Sequence, residues 1–138
     1  MNEMQVMETI ARTQTNWRET ILIVEDDEPL LGLLRFFLDD AGCNVLSAKN
    51  GEEAVDTYLK HPGEIDLVLT DLGLPGLTAK DEISMLGRIN PNVRIICATG
   101  YIEPTLRTEM FQAGAKAIIS KPYAPQEMLQ KVRSVLDS

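Results

Sequence analysis

A chain of 138 residues, 44% hydrophobic and 25% charged, has the length and composition of one folded domain with a sizeable core, which excludes wholesale disorder. Its formal net charge of −8 and pI near 4.6 disfavour nucleic acid or an anionic membrane as a direct partner and favour hard cations. Cys43 and Cys97 fall in apolar runs and read as buried, reduced thiols of a cytoplasmic protein; no apolar run approaches the roughly 20 residues of a membrane span, and no secretory pattern is read at the start.

Residues 1–19 read as an extension with no assigned role. Met4, Met7 and Ala11 fit a short helical stripe, but fraying at a terminus is the default expectation. Residues 20–138 form the domain. Ile21 to Val24 is an apolar run of the kind a strand buried on both faces produces, and it ends on Glu25, Asp26, Asp27 and Glu28. Asp27 suits an N-cap and Pro29 the first turn of a helix that runs to about Ala41 and stops at Gly42. The acidic residues there complement the positive end of the helix dipole. The polar stripe of this helix (Glu28, Gly32, Arg35, Asp39) is thin, and Leu30, Leu31, Leu33, Leu34, Phe36, Phe37 and Leu38 cover a wider arc than one sheet contact needs. Either the packing is simply over-hydrophobic or part of the arc receives a partner helix.

Cys43 to Ala48 reads as a second strand, and Glu52 to Lys60 as a second helix that His61, Pro62 and Gly63 break. His61, the one histidine, lies in no metal-like cluster and reads as an exposed loop residue. The run from Ile65 through Leu67, Val68 and Leu69 is a third buried strand; it stops on Asp71 and passes into a loop, Leu72 to Thr78. A third helix carries Ala79, Ile83 and Leu86 on one face up to the break at Asn90, Pro91 and Asn92. Val93 to Ala98 is a fourth strand ending on Thr99, Gly100 and Tyr101. A helix from about Pro104 to Ala113 is closed by Gly114, and Ala117 to Ser120 makes a fifth strand ending on Lys121. After Pro122, Tyr123 and Ala124, Pro125 opens a last helix with Met128, Leu129, Val132, Val135 and Leu136 inward.

Five strands alternating with five helices imply an α/β fold, a single doubly wound parallel sheet with helices on both faces and no second domain. Glu25 and Asp26, Asp71, Thr99 and Lys121 all follow strands, so they converge on the carboxyl edge where open α/β sheets hold their ligands. Clustered carboxylates repel by roughly 4 kcal/mol per pair at about 4 Å in a partly protein-like dielectric, so keeping them charged needs a cation. Mg²⁺ fits this oxygen-rich set best. Beside such an ion an Asp71 oxygen can accept a phosphoryl group. That transfer asks for positioning and charge neutralisation, to which the Lys121 ammonium and Thr99 hydroxyl contribute.

In order and spacing, the segments ILIVEDDEP, LTDLGLPG, CATGY and SKPY resemble the receiver domain of two-component response regulators, from about Thr20 to Ser138. The resemblance implies a flavodoxin-like three-layer sandwich with strand order 2-1-3-4-5 and Asp71 as phosphoacceptor. It implies Asp26, Asp71 and the Gly73 backbone carbonyl as ligands of Mg²⁺, with Mn²⁺ as a substitute, and Glu25 acting through water. Thr99 becomes the switch hydroxyl, Gly100 and Lys121 bind the phosphoryl group, and the bond before Pro122 is expected to be cis. A histidine kinase or histidine phosphotransfer protein is implied to dock near the first helix. A downstream protein or a second copy would read the fourth helix, fifth strand and last helix. On this reading the chain is a phosphoacceptor that assists its own phosphorylation and dephosphorylation, without conventional enzymatic turnover.

Four departures qualify what the resemblance implies. Ile118 stands where the family carries an aromatic switch residue, and an aliphatic side chain offers no ring rotation. Gly73 has no side chain to position an attacking water, and Tyr101 can screen an acyl phosphate, so self-dephosphorylation is expected to be slow. Ala79 replaces the glycine usual in the loop after the Pro75 motif, which is expected to alter the start of the third helix. Two alternatives stay open. One is a receiver-fold binding module that works without phosphorylation. The other is an aspartate-nucleophile phosphatase, which Gly73 disfavours because such enzymes carry a second aspartate there. The domain is either a stand-alone regulator or the receiver of a hybrid kinase, whose receivers the ATGY segment resembles.

Overall fold

Short apolar runs and amphipathic stretches alternate in the computed structural model, which describes residues 2–4, 16–74, 76–100 and 102–138. The expected stripe through Met7 and Ala11, and Pro75 and Tyr101, lie outside these residues. The elements are β1 (Thr20–Val24), α1 (Glu28–Ala41), β2 (Asn44–Ala48), α2 (Gly51–Lys60) and β3 (Leu67–Asp71). They continue with α3 (Ala79–Ile89), β4 (Ile95–Thr99), α4 (Pro104–Ala113), β5 (Ala117–Ser120) and α5 (Pro125–Leu136). All strand pairs are parallel, in the order β2-β1-β3-β4-β5.

Local chemistry sets the helix ends. Asp27 Oδ1 accepts from Leu30 N at 3.2 Å, Asn50 Oδ1 from Glu53 N at 2.8 Å, and Thr78 Oγ1 from Asp81 N at 3.1 Å, each satisfying a backbone donor that the first turn leaves open. α1 stops at Gly42, whose φ of 110° suits a residue without Cβ. The amino ends of the strands differ from the apolar runs. Cys43 precedes β2, Ile65 precedes β3 and Val93 precedes β4, yet all three are buried. Apolar character reports burial here, and ladder membership is a separate matter of backbone pairing. Conversely, polar Thr20 joins β1, its N–H donating to Asp66 Oδ2 at 2.8 Å.

Side-chain alternation along the strands builds two apolar layers. Ile21, Ile23, Leu67, Leu69 and Ile96 face α1 and α5, where Leu34, Leu38, Met128 and Val132 meet them. Leu22, Val24, Val68, Ile95 and Ile118 face the other layer, with Val55, Tyr58, Ile83, Leu86 and Met110 from α2, α3 and α4. Each fully buried aliphatic side chain contributes about 1.5–3 kcal/mol relative to exposure. Leu136 packs only partly buried against the first layer. The end of the amino-terminal extension also joins it. Trp17 is buried, its backbone N–H donates to the Ala41 carbonyl at 3.0 Å, and its ring lies under the Arg133 guanidinium, 4.9 Å from the ring centroid. Arg133 in turn pairs with Glu19 at 2.8 Å.

The wide apolar arc of α1 is a structural fact. Leu34, Leu38 and Ala41 are buried, whereas Phe36 is 64% exposed and Leu33 46%. His61 is half-buried instead of exposed, because its Nδ1 lies 3.0 Å from the Thr57 carbonyl at the end of α2. No helix among the described residues is long and apolar enough to cross a membrane.

Candidate functional site

Register decides which side chains meet. β1 and β3 align Val24 with Thr70, so Glu25 stands level with Asp71 at the carboxyl edge. β3 and β4 align Asp71 with Ala98, and β4 and β5 align Thr99 with Ser120, so Lys121 follows one step beyond. Backbone bonds extend the β1–β2 and β4–β5 ladders past the strands: Glu25 N donates to Ala48 O at 2.9 Å, and Lys121 N to Thr99 O at 2.7 Å. The chain reverses its direction of travel across the sheet between β1 and β3, and the crevice at such a switch point is the general ligand position of open α/β sheets.

In that crevice Glu25, Asp26 and Asp71 place carboxylate oxygens within 4.8 Å of one another, the one such metal-capable group among the described residues. Lys121 Nζ bridges two of them, 3.1 Å from Asp71 Oδ1 and 3.3 Å from Glu25 Oε1. Glu25 is 3% exposed, and its second oxygen accepts from the N–H groups of Asp26 at 3.1 Å and Asp27 at 3.2 Å. Burial, and then the Asp71 charge, raise the Glu25 pKa against the opposing pull of the Asp27 N–H and Lys121. Burial pulls the Lys121 ammonium down, but hydrogen bonds and charge from Asp71 and Glu25 outweigh it and leave its pKa above the ordinary lysine value. The lysine is therefore charged throughout the neutral range.

Three carboxylates against one ammonium leave an excess of negative charge in a partly buried cleft. An oxygen-only donor set of this kind fits a hard divalent cation such as Mg²⁺. Gly73, with φ of 95°, turns the loop two residues beyond Asp71, and no heavy atom would stand within 4 Å of a Cβ there. Thr99 is buried at the end of β4 and Gly100 follows as a bend. The Lys121–Pro122 peptide is cis. Ile118 is buried in the layer facing α4, away from solvent.

Sequence reasoning passed over one neighbour of this cluster. Tyr123 is pushed up to about 12, by burial first, with Lys121 opposing and the charges of Glu25 and Asp71 adding to the rise, so its phenol stays neutral. Its place two residues after Lys121 in the SKPY segment was the available signal.

A family model described as the response regulator receiver domain matches residues 21–133. Response regulator UvrY of Escherichia coli is 34% identical over 117 residues, covering 83% of this chain and 53% of that protein, so the chain spans about half the length of this relative. Chemotaxis protein CheY of Thermotoga maritima is 31% identical over 116 residues, covering 83% of this chain and 95% of that protein. Among solved structures, a chain of the CheX-CheY-BeF3-Mg²⁺ complex from Borrelia burgdorferi superposes with a TM-score of 0.80 at 30% identity, covering 85% of this chain and 88% of its own.

Proposed function

Because the chain belongs to the response regulator receiver domain family of two-component signalling, which are not conventional enzymes, we propose that Asp71 accepts a phosphoryl group from a phosphohistidine. The observation that carries this reading is the Lys121 ammonium 3.1 Å from Asp71 Oδ1, inside a group of three carboxylates that only a cation can hold charged.

Asp26, Asp71 and the Gly73 carbonyl are the groups that would hold Mg²⁺, with Glu25 contributing through water; Mn²⁺ would substitute. That ion would supply neutralisation of charge on the transferring phosphoryl oxygens. The residues of the chain do the rest. An Asp71 carboxylate oxygen attacks phosphorus, the P–O bond forms, and the P–N bond to the donor imidazole breaks, the electron pair leaving with that nitrogen. Lys121 pairs with Asp71 before transfer and is placed to pair with the phosphoryl oxygens afterwards. Thr99 and Gly100, next to Lys121 through the Lys121 N–Thr99 O bond, supply a hydroxyl and a backbone N–H to the same group. Added charge at this edge then biases the packing of α4, β5 and α5, the surface that a downstream protein or second copy would read. Ile118 makes that switching independent of an aromatic ring.

The exposed Phe36 and Leu33 on α1 support docking of a histidine kinase or phosphotransfer protein there. The free, buried Cys43 and Cys97 support a cytoplasmic setting. Gly73 and Tyr101 support a long-lived acyl phosphate. The test is intact-mass measurement after incubation with phosphoramidate and Mg²⁺. One phosphoryl adduct is expected on the wild type, none on Asp71→Asn, and none when the metal is chelated. An unmodified wild type with Mg²⁺ binding demonstrated would leave the receiver-fold binding module as the better reading.

A further inference from the structure

α3 turns a carboxyl group inward. Glu82, four residues after the Thr78 cap, is 3% exposed and lies on the face of α3 that also buries Ile83 and Leu86. Its surroundings are the apolar layer between the sheet and α2, α3 and α4, where an isolated charge is costly. Glu82 Oε1 lies 3.2 Å from where a Cβ on Gly51 would stand, which puts it against the first residue of α2.

The groups facing it come from each neighbouring element. β3 offers the Thr70 hydroxyl, close enough to pull the acid's pKa down, although neither Thr70 Oγ1 nor Glu82 Oε2 completes a hydrogen bond of ordinary geometry. β4 offers the Cys97 thiol, which burial and then the Glu82 charge push up to about 12, so it stays neutral. α2 offers Glu52, a second negative charge, whose own Oε1 is committed to the Leu77 N–H at 2.9 Å. α4 contributes the uncharged Met110 to this layer. No cation pairs with Glu82 among the described residues.

A buried carboxylate with no cation and a second acid nearby is a poor ion site and a good proton site. Neither Thr70 Oγ1 nor Glu82 Oε2 completes a hydrogen bond in this layer, so the charged carboxylate lacks the partners that would offset its burial, and a bound proton removes that charge. We infer that Glu82 is a proton-binding switch beneath β3: neutral, it lets α3 seat fully on the sheet, and charged, it loosens that contact. The inference is independent of phosphoryl transfer at Asp71.

Burial, followed by the Glu52 charge, raises Glu82 from 4.5 to about 7. The folded chain therefore holds this proton more tightly than the unfolded chain does. The associated stability is full below pH 4.5 and is lost as pH rises through about 7. Over that window the folding constant falls by roughly two orders of magnitude. Glu25 shares the direction of shift, so the wild type alone does not isolate Glu82.

The direct experiment is carboxyl carbon NMR of the full chain against pH. A side-chain carboxyl titrating near pH 7, absent in Glu82→Gln, is expected; assignment of Glu82 to a midpoint near 4.5 would overturn the inference. Denaturant unfolding of wild type, Glu82→Gln and the apolar Glu82→Leu between about pH 5 and about pH 8 gives the linked readout. The stability gap in favour of either variant should widen with pH, and a gap independent of pH contradicts the switch. The NMR titration needs no stable variant, because Glu82 can be assigned in the wild type.

Discussion

Lys121 is the residue on which the local electrostatics turn. Its ammonium lies 3.1 Å from Asp71 and 3.3 Å from Glu25, where it occupies the field a divalent cation would otherwise take alone. Lys121→Met should therefore tighten Mg²⁺ binding about tenfold, or about 1.4 kcal/mol, while slowing phosphoryl acceptance. Calorimetric titration with MgCl₂ beside a timed mass assay checks both directions. Glu25→Gln should act oppositely on metal affinity and raise thermal stability by about 1 kcal/mol, a few degrees in Tm, because it removes a buried charge from a crowded cluster. Melting followed by circular dichroism checks it. The cluster was legible in the sequence because polar residues stood at the ends of apolar runs and strand register brings such ends together. Glu82 was not. A single acid within an amphipathic helix looks solvent-facing until the packing of the helix is known, and nothing local marks the face on which it falls.

Elements are held by their ends and by one buried face. Asp27→Ala removes the acceptor of the Leu30 N–H and should cost about 0.5–2 kcal/mol, read as a shift of the denaturation midpoint at unchanged slope. Ile96→Ala, at a fully buried position of β4, should cost about 2–5 kcal/mol. Helix ends were the most readable features, since Asp27, Pro29, Gly42 and Gly114 each carry a mechanism that acts within a few residues. Strand starts were less readable. Cys43, Ile65 and Val93 are apolar because they are buried, and where the ladder begins depends on a partner strand that is distant in sequence. Trp17 shows the same limit. Its burial depends on Arg133 and Ala41, which lie far along the chain.

At the scale of the whole molecule, the parallel sheet gathers its acids at the carboxyl edge while α1 presents an apolar surface to solvent. The docking surface proposed on α1 lies apart from the acidic cluster, so the two are separately testable. Phe36→Asp, at a side chain 64% exposed, should change stability by less than about 0.5 kcal/mol and leave phosphorylation by phosphoramidate intact. Transfer from a phosphohistidine protein should slow markedly, and stopped-time transfer assays compare the two donors. The identity of Asp71 as acceptor is the claim from which the rest follows. Borohydride reduction of the phosphorylated protein converts an acyl phosphate to an alcohol, which peptide mapping then locates. The expected result is homoserine in place of Asp71, dependent on Mg²⁺; reduction located at Glu25, Asp26 or any other residue, with Asp71 unchanged, would contradict the account.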